Sequence, residues 1–236
     1  GIFAPWAFYK KDFQEIGGHD SIFAPQSKED TDIFNRFHLN GIKFIQTWEG
    51  CVYHMTCRGS RFADGAKRNP DGQVFMKNRE TDEWLKQNQK STREFIRKWG
   101  HFCKHDEFMK PIVPPKYDVG IKVKNCASSL LEVLEPWCNV IYTDANVDEY
   151  ISKEQANTSF NLSDRVKDIN SQYTKGAHDI TVEIDGYQFY QTDMTMLQQL
   201  SEILQDSGAE GEFELGNIKV SVNDLSSYEH QLIVCK

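Results

Sequence analysis

Ile180-Thr181-Val182-Glu183-Ile184, followed by the stretch 193–205 and by Phe213-Glu214-Leu215-Gly216-Asn217-Ile218-Lys219-Val220-Ser221-Val222, decides the fold class of this chain. The first stretch alternates apolar and polar side chains with period two, the pattern of a strand with one buried face. The second places Met196, Leu197, Leu200, Ile203 and Leu204 at helical spacing and predicts an amphipathic helix. The third reads as two strands joined by the two-residue turn Gly216-Asn217. Upstream, 118–123 and 140–142 read as strands, and 128–134 as a helix ended by Glu135-Pro136. Alternation of strand and helix predicts an α/β unit with a mostly parallel sheet and an antiparallel hairpin at one edge.

Composition narrows the function classes. The chain has 236 residues, 39% of them hydrophobic and 12% aromatic, enough to build a sizeable core without disulfide or metal staples. No apolar run approaches the roughly 20 residues of a membrane helix. The start, Gly1-Ile2-Phe3-Ala4-Pro5-Trp6, has no charged segment leading into an apolar one, so it does not read as a signal peptide. It lacks a Met and opens abruptly in apolar sequence, as a piece of a longer protein would. Six cysteines form no C-x-x-C pair and demand no disulfide framework, so a reducing, cytoplasmic setting is expected.

The net charge is 27 − 35 = −8, which disfavours a nucleic-acid partner. It is unevenly spread. Residues 58–117 carry 14 basic and 8 acidic side chains, net +6, and residues 118–236 carry 8 and 20, net −12. The basic middle fits either a nearby anion such as phosphate or a solvated helical surface.

In the first half, 6–11 reads as an aromatic strand and 12–16 as a short helix stopped by Gly17-Gly18. Ser27 with Asp30 gives a capping-box pattern that opens a second helix bearing Ile33, Phe34 and Phe37, and Asn40-Gly41 closes it. Strands are expected at 42–48 and 51–55, a surface loop at 59–79, and a helix at 80–103 anchored by Trp84, Leu85, Phe95, Ile96 and Trp99. Pro111, Pro114 and Pro115 then mark a boundary between units 1–112 and 113–236. His101 and His105 lie one turn apart, yet no third ligand accompanies them, and a surface pair is the simpler reading.

The stretch richest in chemistry runs Gly17-Gly18-His19-Asp20, Glu29-Asp30-Thr31-Asp32, Arg36, Asn40-Gly41, Val52-Tyr53-His54. This ordered set resembles the second half of the nucleotide-sugar glycosyltransferases of the GT-A fold, family-two type, over residues 1–62. His19 stands where the family usually has an aromatic. The resemblance implies a partial GT-A-like region in the first unit; the second, a small α/β domain by its own strand and helix pattern, carries no motif of a known family. The resemblance implies an inverting transfer of sugar from a nucleotide-sugar donor to a glycan acceptor. Asp30 would be the general base that deprotonates the acceptor hydroxyl, with Glu29 beside it positioning the acceptor. Without that context, both carboxylates would simply stabilise a helix start. His54 would help ligate a divalent metal, manganese or magnesium, that offsets leaving-group charge. Otherwise it is a buried histidine satisfied by backbone. Arg58 and Arg61 would bind the donor diphosphate, or else are surface arginines. Trp6 would stack on an acceptor sugar, or else fill the core.

One departure is large. The family's nucleotide-binding half, with its Asp-x-Asp at a strand end, has no counterpart before Gly17. The isolated chain is therefore expected to have no affinity for sugar nucleotides. The alternative is a non-catalytic remnant of the fold that binds a glycan or a partner protein. Apolar surface left where the missing strands would pair could drive a homodimer.

Overall fold

A computed structural model describes residues 5–25, 27–47, 49–50, 67–68, 74–75 and 82–235. The elements of the first half are α1 (Lys10–Glu15), α2 (Glu29–Leu39), a two-residue ladder of β1 (Lys67–Arg68) with β2 (Val74–Phe75), and α3 (Asp82–Trp99). The second half runs β3 (Val119–Lys124), α4 (Ser128–Leu134), β4 (Val140–Thr143), α5 (Val147–Glu154), α6 (Leu162–Arg165), β5 (Val166–Asp168), α7 (Ile169–Gln172), β6 (Ile180–Asp185), α8 (Gln191–Gln198), α9 (Leu200–Ser207), β7 (Gly211–Leu215) and β8 (Ile218–Val222).

The sheet has six strands in the order β5-β4-β3-β6-β8-β7. The pairs β5–β4, β4–β3 and β3–β6 are parallel, and β8 joins β6 and β7 antiparallel. The expected α/β class, mostly parallel sheet and edge hairpin are all present. Residues two apart share a face. Ile121, Val123, Ile141, Ile180, Val182 and Val220 therefore form one apolar face, buried against Leu131, Leu134, Leu162, Leu197 and Leu204 of the helices. The opposite face is polar: Lys122 is in register with Tyr142 on one side and Glu183 on the other, and Glu183 is in register with Lys219.

Gly120 sits on that polar face in the central strand. A Cβ there would meet Cδ2 of His178 at 2.2 Å. The imidazole cannot step aside, because Asp118 and Tyr142 hold it from both ends (3.0 Å each). Gly120→Ala is thus expected to lower stability by about 1–3 kcal/mol through overpacking. Urea denaturation checks this, and an unchanged midpoint would contradict it.

Several local expectations are corrected. Residues 6–9 and 42–47 are not in strands; α1 begins already at Lys10. No strand partner for these residues exists among the described ones, so period-two sequence alone builds no ladder there. The Ser27–Asp30 capping box does not form. Ser27 and Lys28 both have φ near +78°, α2 starts at Glu29, and the Ser27 hydroxyl donates to Asn88 Oδ1 (2.6 Å) instead. The helix expected at 193–205 is two helices meeting at Gln199 (φ −105°). In α3, Phe95, Ile96 and Trp99 are buried as expected, but Leu85 is exposed. The strand expected at 51–55 lies outside the described residues.

Helix α3 packs both ways. Phe95 and Trp99 join Phe23 in an apolar cluster of the first half, while Ile96 belongs to the core of the sheet. A further cluster of Ile16, Ile33 and Phe37 gathers Trp6, Phe13 and Phe44 around α1 and α2. No helix of the described residues is long and apolar enough to cross a membrane.

Candidate functional site

Two glycines shape the loop between α1 and the turn at Ser21–Phe23. Gly17 and Gly18 have φ of +80° and +77°, a region costly for residues with a Cβ. A Cβ on Gly17 would also lie 3.0 Å from the backbone oxygen of Cys235, where the C-terminal segment crosses. The loop so formed turns its carbonyls toward α2. Arg36 donates to the carbonyl oxygens of Ile16 and Gly18, each at 2.7 Å.

Asp32 completes this joint. It is fully buried and accepts from Arg36 Nε (2.8 Å), from the Trp99 indole (2.9 Å) and from Lys98 Nζ (2.6 Å). Lys98 also reaches Asp20 at 2.8 Å. Asp20 caps the following turn by accepting from the Ile22 N–H (3.1 Å). Burial raises the Asp20 pKa, but the Lys98 ammonium and the Ile22 N–H outweigh it and hold the carboxyl below its ordinary value. Asp20, Asp32 and Cys235 are the one group of metal-type ligands that come together among the described residues. The Lys98 ammonium bridges its two carboxylates, so the group is already neutralised and does not fit a metal ion.

The joint uses the glycine pair, Asp20, Asp32 and Arg36, and leaves Asp30 and Glu29 outside it. Asp30 sits in the first turn of α2, half-buried, and its carboxylate makes no hydrogen bond among the described residues. Burial pushes its carboxyl above the ordinary value, and the neighbouring His19 only partly offsets this. The His19 ring is held edge-on against Phe13 (5.3 Å). Asp30 and Phe34 are one turn apart and share a helix side. Trp6 packs on Phe34 at 5.3 Å and stacks on Phe8 at 4.7 Å, so Trp6 and Asp30 lie on the same side of α2. Glu29 turns one carboxylate oxygen, Oε2, into the protein with no partner among the described residues. Buried acceptors are rarely left so, because desolvation without a bond costs about 1–3 kcal/mol. His54, Arg58 and Arg61 lie outside the described residues.

A second constellation was invisible in the sequence. Asp118 precedes β3, His178 precedes β6, and Tyr142 is in β4. The sheet brings them into one chain: Asp118 to His178 Nδ1 at 3.0 Å, and His178 Nε2 to the Tyr142 hydroxyl at 3.0 Å. Tyr142 is buried, and desolvation first, then the Asp118 charge, raises its pKa. A phenol held in its protonated form donates to His178, and Asp118 fixes the ring's orientation. Only parallel pairing of strands remote in sequence could have announced this set.

No family model, no curated protein and no solved structure matches the chain.

Proposed function

We propose that the first half of the chain is the acceptor side of an inverting, nucleotide-sugar-dependent glycosyltransferase, with Asp30 as general base. The observation that carries this reading is the division of labour among the motif carboxylates. Asp20 and Asp32 are consumed by the Lys98–Arg36 joint, whereas the Asp30 carboxylate is half-buried, without a hydrogen-bond partner among the described residues, and raised in pKa. A carboxylate in that condition is a better proton acceptor than one saturated by donors. Asp30 takes the proton of an acceptor hydroxyl while its oxygen bonds to the anomeric carbon, and the nucleoside diphosphate leaves with the electrons of the broken bond. Glu29 stands beside Asp30 to position the acceptor, and Trp6 offers a ring on the same side of the helix. In this reading Arg58 and Arg61 hold the donor diphosphate, and His54 is assigned to a divalent metal, manganese or magnesium. The family's nucleotide-binding half is not in these 236 residues.

The test uses this chain. Neutral trisaccharides titrated into the labelled protein should shift the resonances of Asp30, His19 and Trp6, and Asp30→Asn should remove that response with no loss of thermal stability. Calorimetry with UDP-glucose and manganese should give no heat of binding. Tight UDP-sugar binding by the chain alone, or a saccharide response at His19 and Trp6 untouched by Asp30→Asn, would overturn the reading.

A further inference from the structure

The polar face of the sheet carries a groove whose chemistry is separate from Asp30. Cross-strand register lays two rows of side chains over β6, β8 and β7: Glu183, Lys219 and Glu214 in one, Thr181, Ser221 and Glu212 in the other. Neighbouring strands are about 4.8 Å apart, so each row presents hydrogen-bonding groups at that interval. Above them lies a cavity of about 300 Å³, walled by Tyr173, Lys175 and Asn223 and floored by Thr181, Glu183 and Ser221. It is continuous with a shallower depression of about 420 Å³ over Glu214 and Lys219, and the two share Lys175, Glu183, Glu212 and Ser221. Ligand cavities run from roughly 300 to 1,000 Å³, so the groove accommodates a short chain rather than a single small ion.

Its electrostatics select the ligand class. Lys122 pairs with Glu183 at 3.0 Å, and Lys175 stands 4.0 Å from Glu212. The groove's lining sets Lys175 and Lys219 against Glu183, Glu212 and Glu214, and Lys122 beside it offsets Glu183, so the charges nearly balance. A phosphate-bearing ligand gains no net attraction from such a surface, and neither does a polycation. A neutral polyol meets a charged acceptor and a charged donor side by side, and a sugar hydroxyl uses both roles. The Tyr173 ring is fixed edge-on against Tyr142 (5.1 Å) and lies 4.8 Å from the Lys122 ammonium. It supplies the flat apolar wall on which the C–H face of a pyranose packs.

We infer that this groove is a second, non-catalytic binding site for a short neutral oligosaccharide. Tyr173 is its stacking wall, and Glu183, Glu212 and Ser221 are its hydroxyl partners.

The experiment titrates maltotriose, cellotriose and chitotriose separately into ¹⁵N-labelled protein and follows the backbone amides of Thr181, Ser221 and Asn223. At least one of these sugars is expected to shift all three amides. Glu183→Gln and Glu212→Gln, both at solvent-accessible positions, should each weaken binding by about tenfold, the effect of losing one charge-assisted hydrogen bond. The same spectra report whether each variant is folded. Asp30→Asn should leave the groove response unchanged, so failure here and failure of the transferase reading are distinguishable. The inference is overturned if none of the three sugars moves these amides, if binding survives both glutamate substitutions, or if UDP binds the groove in preference to the neutral sugars.

Discussion

Glu135→Ala is expected to remove about 3–5 kcal/mol of stability, the usual penalty for stripping one partner from a buried ion network. Glu135 is fully buried at the start of the turn after α4. It accepts from Arg97 Nε (3.0 Å) and Nη2 (2.6 Å), from Arg165 Nε (2.7 Å) and from the Tyr150 hydroxyl (3.3 Å). Arg97 is equally buried, and Glu94 at 2.7 Å becomes its main remaining counter-ion when Glu135 is gone. The network ties α3 to the turn after α4, to α5 and to α6, so its loss loosens the helix that joins the two halves of the chain. Chemical denaturation at pH 7 measures the effect, and a loss below about 1 kcal/mol would show that solvent replaces the carboxylate.

The same network sets the acid limit. Burial raises the Glu135 pKa, but Arg165 and Arg97 outweigh it and depress the carboxyl from 4.5 to about 2. Its folded value lies below its unfolded one, so its contribution is complete above pH 4.5 and is lost as pH falls toward 2. His101 adds an earlier step. It is buried against Phe95 and Trp99, its Nδ1–H donates to the Phe102 carbonyl, and its Nε2 has no partner among the described residues. Burial depresses it from 6.5 to about 4, so protonation disfavours the fold progressively between those values. Stability is expected to fall in two stages on acidification, with His101→Phe removing the first.

Asp32→Ala is expected to cost a similar 3–5 kcal/mol or so, for the same physical reason at the other joint. The substitution leaves Arg36 and Lys98 buried with fewer counter-charges and the Trp99 indole without its acceptor. Arg36 then holds the Ile16 and Gly18 carbonyls less firmly, and the Gly17-Gly18 loop loses its brace. Asp30→Asn, two residues earlier, carries the opposite expectation. A carboxylate whose pKa burial raises is a small burden on the fold at neutral pH, so its amide should leave the thermal midpoint unchanged or slightly higher. Thermal melts of the two variants side by side separate a supporting carboxylate from one held for chemistry. Equal losses in both would place Asp30 in the joint as well.

The sheet was legible because its strands alternate cleanly and are bounded by turns. Ile180–Asp185 and the hairpin through Gly216-Asn217 are examples. The part between β4 and β6 was not. Strand β5 is three residues long, too short to display a period, and α6 and α7 have four residues each. In the first half, Asn40 closes α2 where expected, but the start of α2 was misplaced, because Ser27 found a partner 61 positions away that no local pattern announces. The motif around Asp30 was legible as an ordered set, but its inner division was not. That Asp32 rather than Asp30 faces Lys98 and Trp99 depends on the packing of α3, some 67 residues downstream. The Asp118–His178–Tyr142 chain and the saccharide groove arise from register between remote strands, and sequence spacing carries no trace of either.

The most direct measurement is a ¹³C NMR titration of the Asp30 side-chain carboxyl, with and without a neutral trisaccharide. A free, half-buried base should titrate above the ordinary aspartate value of 3.8 and change its chemical shift when the sugar is added. A carboxyl that titrates at or below that value, indifferent to every sugar tried, would contradict the assignment of Asp30 as the acceptor-side base.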